Sequence, residues 1–134
     1  MNYIDTDVLI HSLVNQNSSL HLRTVDLIDE MNSRNELSFS WLSIQELGFV
    51  LAKLGQSSTF INSKLEALIS SAPLDYGRSE FVRAMELANI TGYKNFNDCL
   101  HTAIAEKYCT ALYTCNYKDF KIIQSHTSLS IHFL

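Results

Sequence analysis

Short apolar runs alternate with longer segments of helical periodicity along almost the whole chain, and this alternation constrains the fold strongly. The runs of strand character are residues 2–5, 36–40, 72–76, 110–115 and 128–134. The segments of helical periodicity are residues 18–34, 44–55, 59–71, 79–92 and 97–108. Strands separated by helices form units in which parallel strands are covered on both faces. The sequence therefore predicts a three-layer α/β/α sandwich around a mainly parallel sheet of about five strands.

Length and composition narrow the class of protein. The chain has 134 residues, of which 46% are hydrophobic and 18% charged. This size predicts a single domain over residues 1–134. No apolar run approaches the roughly 20 residues of a membrane helix, and the start "MNYID" lacks the basic segment of a signal peptide. We therefore expect a soluble, cytoplasmic protein with no membrane partner.

The net charge argues against a general nucleic-acid binder, and the cysteine spacing argues against a zinc site. The net charge of −4 disfavours a broad electrostatic grip on nucleic acid, which is typical of basic proteins. Cys99, Cys109 and Cys115 form no CxxC motif, so a zinc site is not expected and the thiols should be free and mostly buried. An acidic enzyme that gathers its carboxylates in one metal site remains compatible with this composition.

Acidic, hydroxyl and amide side chains recur where the predicted strands end. Asp5 and Asp7 follow the first strand, Glu46 follows the second, and Asn116 follows the fourth. Ligands of open parallel sheets bind beyond the carboxyl ends of the strands, so these side chains should meet at one edge. The full set is Asp5, Thr6, Asp7, Glu46, Asp98, Thr114, Asn116 and Asp119.

Two of these acids also fit a purely structural role. Ser43 and Glu46 have the spacing of a capping box, in which the glutamate bonds back to the first amide of a helix. Asp98 lies at a predicted helix start, where the helix dipole favours a carboxylate. Asp5 has a weaker structural alternative, because it ends a strand that should be central and an unpaired buried charge is costly.

The remaining positions are more ambiguous from pattern alone. Asp7 is expected to cap the helix that follows or to support the site from behind. Asn116 and Asp119 also suit a turn or a helix cap. His101 lies one helical turn after Asp98 and could contact the site, but we expect it at the surface or at the boundary of the core.

Several carboxylates without an evident base favour divalent-metal chemistry. Mg²⁺ and Mn²⁺ prefer oxygen ligands and bind through a few carboxylates together with substrate phosphates. Clustered carboxylates repel one another, but a bound cation lets all of them stay ionised. The chain contains no P-loop, GxGxxG or GxSxG motif. A divalent-metal site at the sheet edge is therefore the favoured interpretation.

Four motifs carry a resemblance to a known family. They are "YIDTDVLI" with Asp5, "SIQELGFVL" with Glu46, "FNDCLHTAIAE" with Asp98, and "YTCNYKDF" with Asn116. In this order and spacing they resemble the motifs of PIN-domain ribonucleases over nearly the whole chain. The size is similar to that of the VapC toxins of bacterial and archaeal toxin–antitoxin pairs.

The resemblance implies a strand order of 3-2-1-4-5 and assigns roles to the motif residues. Asp5, Asp98 and Asn116 would ligate Mg²⁺ or Mn²⁺, and Glu46 would complete the catalytic set directly or through water. The supporting residues would be Thr6, Asp7, Thr114 and Asp119. Because Asn116 is a neutral ligand, one strong metal site and one substrate-assisted site are expected.

The resemblance also implies an activity and partners. The activity would be hydrolysis of a phosphodiester in a structured RNA such as tRNA or rRNA, leaving a 5′-phosphate and a 3′-hydroxyl. The partners would be a small cognate antitoxin, whose tail occupies the active-site groove, and a second copy of the chain in a homodimer. Candidate dimer surfaces are the Trp41/Leu42 region and the helix at 59–71.

Other functions remain as alternatives. "DTDVLI" also resembles the first motif of haloacid-dehalogenase-like phosphatases, but the later lysine and acidic pair of that family are missing. A phosphoacceptor receiver domain is disfavoured because no lysine follows the last strand. A catalytically silent PIN-like scaffold that binds RNA or protein is the alternative from a different class, and loss of metal binding would be its signature.

Overall fold

Four parallel strands form the middle layer of the protein. The computed structural model describes residues 1–134. The strands are β1 (Asn2–Ile4), β2 (Leu37–Ser38), β3 (Ala111–Thr114) and β4 (Ser130–Phe133), in the order β2-β1-β3-β4. Every pairing is parallel. The predicted parallel sheet is confirmed, and β1 lies between β2 and β3.

Seven α-helices connect and cover the strands. They are α1 (Thr6–Leu13), α2 (Ser18–Ser33), α3 (Trp41–Lys53), α4 (Ser58–Ile69), α5 (Arg78–Thr91), α6 (Phe96–Tyr108) and α7 (Tyr117–Ile123). Short 3-10 turns at Tyr93–Asn95 and Gln124–His126 precede α6 and follow α7. The periodic segments of the sequence correspond to α2 through α6, whereas α1 and α7 are too short to give a periodic signal of their own. None of the helices is long and apolar enough to cross a membrane.

The strand predicted at residues 72–76 is reduced to a single bridge. Within residues 72–76, only Leu74 pairs, in parallel, with Ser40 beyond the end of β2. The Leu74 amide donates to the Phe39 carbonyl at 2.8 Å, and the Trp41 amide donates to the Leu74 carbonyl at 3.2 Å. Pro73 has no amide proton to extend this ladder, and α3 begins at Trp41. The segment therefore keeps the predicted outer place beside β2 without forming a strand.

The two faces of the sheet carry separate hydrophobic clusters. Neighbouring residues of a strand point to opposite faces, so Tyr3 packs in one cluster and Ile4 in the other. The Tyr3 cluster includes residues of α5, α6 and α7, such as Leu87, Ile104 and Phe120. The Ile4 cluster is built mainly from α1, α2 and α3. These packed layers fix β1 in the middle and place its carboxyl end at the centre of one sheet edge.

Candidate active site

Asp5 connects the central strand to the first helix. It follows β1 directly and caps α1, since its Oδ1 accepts a hydrogen bond from the Thr6 amide at 2.8 Å. Its Oδ2 lies 2.9 Å from the Thr114 hydroxyl at the end of β3, which donates to it. The carboxyl group is 5% exposed. Neighbouring strands β1 and β3 thus hold this carboxylate in a fixed place.

Asp7 has a different role from the predicted helix cap. Asp5 caps α1, and Asp7 lies inside the first helical turn. Its carboxylate accepts the Cys115 amide at 3.2 Å and lies 3.4 Å from the Thr114 hydroxyl. The prediction of a cap at Asp7 is therefore wrong, because the helix begins one residue after the strand. Asp7 also lines the cavity, so its other expected role, support of the site, stays a prediction.

Glu46 does not take part in the capping box at the start of α3. The capping pair at the start of α3 is Ser40 with Ser43, so Glu46 lies one turn further along the helix. Its carboxylate accepts hydrogen bonds from the Thr6 hydroxyl at 2.7 Å and from the Asn97 amide group at 3.2 Å. The capping interpretation is wrong because α3 begins three residues earlier than the periodicity indicated.

Asp98 and Asn116 meet across the other side of the site. Asp98 lies in the first turn of α6, and its Oδ2 is 3.5 Å from the Asn116 side-chain nitrogen. Asn116 caps α7 by accepting the Asp119 amide at 3.4 Å. The same Asn116 nitrogen donates to the Asp119 carboxylate at 3.0 Å. Asp119 therefore holds Asn116 in place, as a supporting residue should.

The predicted residues converge on one cavity of about 190 Å³ at the carboxyl edge of the sheet. It is lined by Asp5, Thr6, Asp7, Ile10, Glu46, Val50, Asp98 and Asn116. Thr114 and Asp119 lie behind this lining and bond to it. A larger cavity of about 500 Å³ lies against α5, but its lining has no carboxylate. A third cavity of about 230 Å³ contains Glu80 and Glu106, but these carboxylates are paired with Lys107 and Arg83.

His101 is a site residue that the sequence analysis misplaced. It is fully buried rather than at the surface or boundary, with its Nε2 hydrogen-bonded to Glu46 and 3.6 Å from the Asp5 carboxylate. Its Nδ1 lies 2.7 Å from the Tyr3 hydroxyl. The available signal was the spacing of His101 from Asp98, because residues three apart share a helix face. One polar face of α6 thus carries both groups into the site.

Burial and mutual repulsion dominate the electrostatics of the aspartates. Burial and the charge of Asp5 raise the pKa of Asp98 to about 7 and that of Asp7 to about 8. Burial also raises the pKa of Asp5, although His101 and the Thr114 hydrogen bond oppose the shift. These carboxyl groups lack the positive charge that would keep them ionised.

The histidine and the glutamate stabilise each other's charged forms. Burial alone would lower the pKa of His101, but Tyr3, Glu46 and Asp5 together raise it well above its usual value. Burial alone would raise the pKa of Glu46, but the hydrogen bond and charge of His101 lower it. His101 also lowers the pKa of Asp5 and Asp98, but burial outweighs this effect and the pKa values of both aspartates stay raised.

The donor set fits a hydrated divalent cation. Asp5 and Asp98 supply carboxylate oxygens to the same cavity, and such oxygens are what Mg²⁺ and Mn²⁺ prefer. Asn116 lines the cavity too, but its side-chain oxygen caps α7 and its nitrogen faces Asp98. No three His, Cys, Asp or Glu side chains form a preformed cage. Magnesium does not require one, since it keeps several waters and binds through one or two carboxylates. The raised pKa values of the aspartates also favour a bound cation.

Comparison with known proteins identifies the family. The crystal structure of VapBC2 from Rickettsia felis bound to a DNA fragment from their promoter is similar in fold, with a TM-score of 0.68 and 18% sequence identity. The match covers 100% of this chain and 99% of that chain. None of the curated proteins compared with the chain matches it. The family model of the PIN domain matches residues 3–124. Because that match spans most of the sequence, the chain belongs to the PIN-domain family.

Proposed function

We propose that this PIN domain is a Mg²⁺- or Mn²⁺-dependent endoribonuclease of the VapC type. The observation that carries the proposal is the convergence of Asp5, Glu46, Asp98 and Asn116 on one cavity. These residues come from β1, α3, α6 and the start of α7, so only the fold brings them together. Such a carboxylate-rich cavity suits hydrolysis of a phosphodiester rather than chemistry that needs a nucleophilic side chain.

In the proposed site, each residue has a defined task. Asp5, Asp98 and Asn116 would hold the cation. When bound, the cation supplies an activated water and offsets charge that develops on the phosphate. Glu46 is oriented by Thr6, Asn97 and His101, which leaves it as an anionic group facing the cavity. Thr114 and Asp119 hold Asp5 and Asn116 at the cavity wall.

We infer a narrow choice of RNA substrate, such as one site in a tRNA or an rRNA. The net charge of −4 gives the chain little sequence-independent affinity for phosphates. Enzymes with weak backbone affinity depend on shape and on unpaired bases of structured RNA. The expected products carry a 5′-phosphate and a 3′-hydroxyl, because water rather than the RNA 2′-hydroxyl is the nucleophile.

The proposed function includes a small antitoxin as partner. The structurally similar Rickettsia felis protein is described as a VapBC complex, which supports an antitoxin for this chain. The cavity is acidic and open, so a basic side chain of a partner would be attracted to it. Such a partner would compete directly with RNA for the site.

We also propose a homodimer, with an interface on α5 rather than on the Trp41/Leu42 region; the helix at 59–71 stays a prediction. Leu42 is buried, so the Trp41/Leu42 region offers only a half-exposed Trp41. Helix α5 instead presents Phe81, Val82 and Met85, each nearly half exposed beside the larger apolar cavity. Exposed apolar patches of this kind mark protein contacts. Analytical ultracentrifugation of Met85→Glu against the unaltered chain tests this face, with a monomer as the expected result.

The activity is tested by mapping RNA 5′ ends. The purified chain is incubated with total bacterial RNA and Mg²⁺ or Mn²⁺, and new 5′-phosphate ends are mapped across all transcripts. Asp98→Asn removes one ligand, and Asp29→Asn removes an exposed carboxylate of α2 as the matched control. We expect a few sharp ends that chelation or Asp98→Asn abolishes and that Asp29→Asn leaves unchanged. Ends that persist in Asp98→Asn would show that the cavity is not the active site.

The remaining candidate is a PIN-like scaffold without catalysis. Such a scaffold would give no new RNA ends and no stabilisation by divalent ions. The intact set of Asp5, Glu46 and Asp98 in one cavity favours the enzyme. Membership in the PIN family gives no support to the phosphatase alternative.

A further inference from the structure

An acidic cavity creates a binding problem for RNA. The site gathers several carboxylates, and the whole chain carries a net charge of −4. Apart from a bound cation, nothing within the cavity attracts a polyanion. An RNA substrate therefore needs favourable contacts on the rim, supplied by cations and by surfaces on which bases can stack.

Tyr117 is a candidate for such a contact. It directly follows Asn116, which lines the cavity, and it is the first residue of α7. Tyr117 is 59% exposed. The ring packs edge-on against Phe133, with centroids 4.9 Å apart and an interplanar angle of 76°. Tyr117 is thus supported from below and open to solvent.

Two lysines accompany the ring on the same short helix. The Lys121 ammonium lies 5.5 Å from the centroid of the Tyr117 ring, and Lys118 is exposed next to it. A flat ring with adjacent cations matches the two parts of a nucleotide, because the ring can stack on a base while the ammonium groups attract its phosphate.

We propose that Tyr117, with Lys118 and Lys121, forms a nucleotide subsite that stacks an unpaired RNA base next to the cleaved phosphodiester. This inference rests on the proposed function, since it assumes an RNA in the cavity beside Asn116. Base stacking requires a base that is free of a helix, so the subsite selects single-stranded loops or bulges of a structured RNA. Tyr117 is a substrate-binding residue and takes no part in proton or metal chemistry.

The chain contains a matched control for this subsite. At the other end of α6, Tyr108 is 39% exposed, and the Lys107 ammonium lies 5.3 Å from its ring centroid. Tyr108 is ten residues beyond Asp98, about 15 Å along the helix. It therefore presents a tyrosine and a lysine away from the cavity, although the Lys107 ammonium is also paired with Glu80 at 2.7 Å. A general loss of aromatic or basic surface would affect both positions equally.

Binding measurements separate this proposal from the proposed function. Fluorescence anisotropy gives the Kd for a labelled single-stranded oligoadenylate of about 12 nucleotides, in Mg²⁺ and in an Asp98→Asn background that prevents cleavage. In that background, Tyr117→Leu should weaken binding about tenfold, whereas Tyr117→Phe and Tyr117→Trp should retain it. Tyr108→Leu should bind like the background. Lys121→Gln should lower the slope of log Kd against log salt by about 0.7.

Each other result overturns the proposal. Equal effects of Tyr117→Leu and Tyr108→Leu would show a non-specific contribution, and a Tyr117→Phe variant as weak as Tyr117→Leu would show that the hydroxyl matters instead of the ring. Binding that Tyr117→Leu leaves unaffected would show that the ring does not stack on a base. Absence of binding in the Asp98→Asn protein would show that the chain has no subsite for single-stranded RNA. The proposed function fails independently, if the unaltered chain gives no metal-dependent RNA ends. Melting temperatures of all variants confirm that each one is folded.

Discussion

At the scale of single residues, a buried hydrogen-bond chain connects the core to the cavity. The Tyr3 hydroxyl lies 2.7 Å from both the Ser40 hydroxyl and the His101 Nδ1, and His101 in turn bonds to Glu46. The raised pKa of His101 favours the imidazolium form, in which both ring nitrogens donate. The chain therefore fixes the orientation of Glu46 through a group that never reaches solvent.

Removal of the Tyr3 hydroxyl tests this chain of contacts. Tyr3→Phe leaves the ring packed but takes one buried partner from His101, so we expect a loss of about 1–2 kcal/mol of stability. The RNA cleavage rate should also fall severalfold, because Glu46 is less firmly held. Urea unfolding and initial cleavage rates measure the two effects. Tyr113→Phe is the control, since its half-buried ring stacks on His132. Equal losses in both variants would contradict the role of the chain.

The residue types of the site could be predicted from the sequence, but the placement of His101 could not. Carboxylates at the ends of several strands indicate a site, because the carboxyl ends of parallel strands meet at one edge of the sheet. A lone histidine on a helix carries no such signal, since its burial depends on tertiary contacts with Tyr3 and Glu46, far away in sequence. The capping role predicted for Glu46 was wrong because Ser40 and Ser43 form the capping pair at the start of α3.

At the scale of elements, Asp5 serves both the fold and the site. Its carboxylate caps α1 and also lines the cavity. Asparagine caps helices about as well as aspartate but carries no charge. A substitution series at this position can therefore separate helix stability from cation binding.

We expect Asp5→Asn to keep the stability of the metal-free protein within about 0.5 kcal/mol, because the cap is retained. The same variant should lose most of the thermal stabilisation that Mg²⁺ gives. Asp5→Ala should lose this response and about 1 kcal/mol in addition. Differential scanning fluorimetry with and without Mg²⁺ measures both.

The control for this series is the cap of the next helix. Asn17 accepts the Leu20 amide at 3.1 Å at the exposed start of α2. Asn17→Ala should cost a similar amount of stability but leave the Mg²⁺ response intact. A full Mg²⁺ response in Asp5→Asn would show that Asp5 acts only as a helix cap.

Element boundaries differ from the sequence prediction where a local signal competes with tertiary structure. The apolar pattern of residues 72–76 favours a strand, but Pro73 lacks the amide needed to extend pairing beyond Leu74. The sequence favours Asp7 as the cap of the first helix, yet Asp5 caps a helix that begins at Thr6. The long segments α2 to α6 were predictable, because two or more turns of apolar periodicity outweigh such local effects.

At the scale of the whole molecule, the proposed function requires carboxylates to be close together, and their burial and repulsion oppose folding. Asp5 and Asp7 lie at the start of α1 and Asp98 lies in α6, so only the folded state brings Asp98 near the other two. The raised pKa values of Asp7 and Asp98 reflect burial first and the charge of Asp5 second. A bound cation would offset this cost of folding, which couples metal binding to stability.

This coupling predicts how stability depends on pH without metal. The folded-state pKa values of Asp98 and Asp7, about 7 and about 8, lie above the ordinary value of 3.8. Between these limits the folded state binds more protons than the unfolded state, so stability falls as pH rises. His101 acts in the same direction, since its raised pKa adds stability that is lost at high pH. In EDTA, we expect the melting temperature to fall by about 5 °C or more between pH 6 and pH 9.

Saturating Mg²⁺ should flatten this profile, because a cation keeps the aspartates ionised in the folded state. Asp7→Asn should flatten part of it without metal, since it removes one of the groups that bind a proton on folding. Thermal melts across the pH range, in EDTA and in Mg²⁺, measure both effects. Asp29→Asn, on the exposed face of α2, should keep the full decline. A melting temperature that rises with pH in EDTA would mean that the carboxylates are already balanced by the protein's own charges, and the case for a cation in this cavity would be lost.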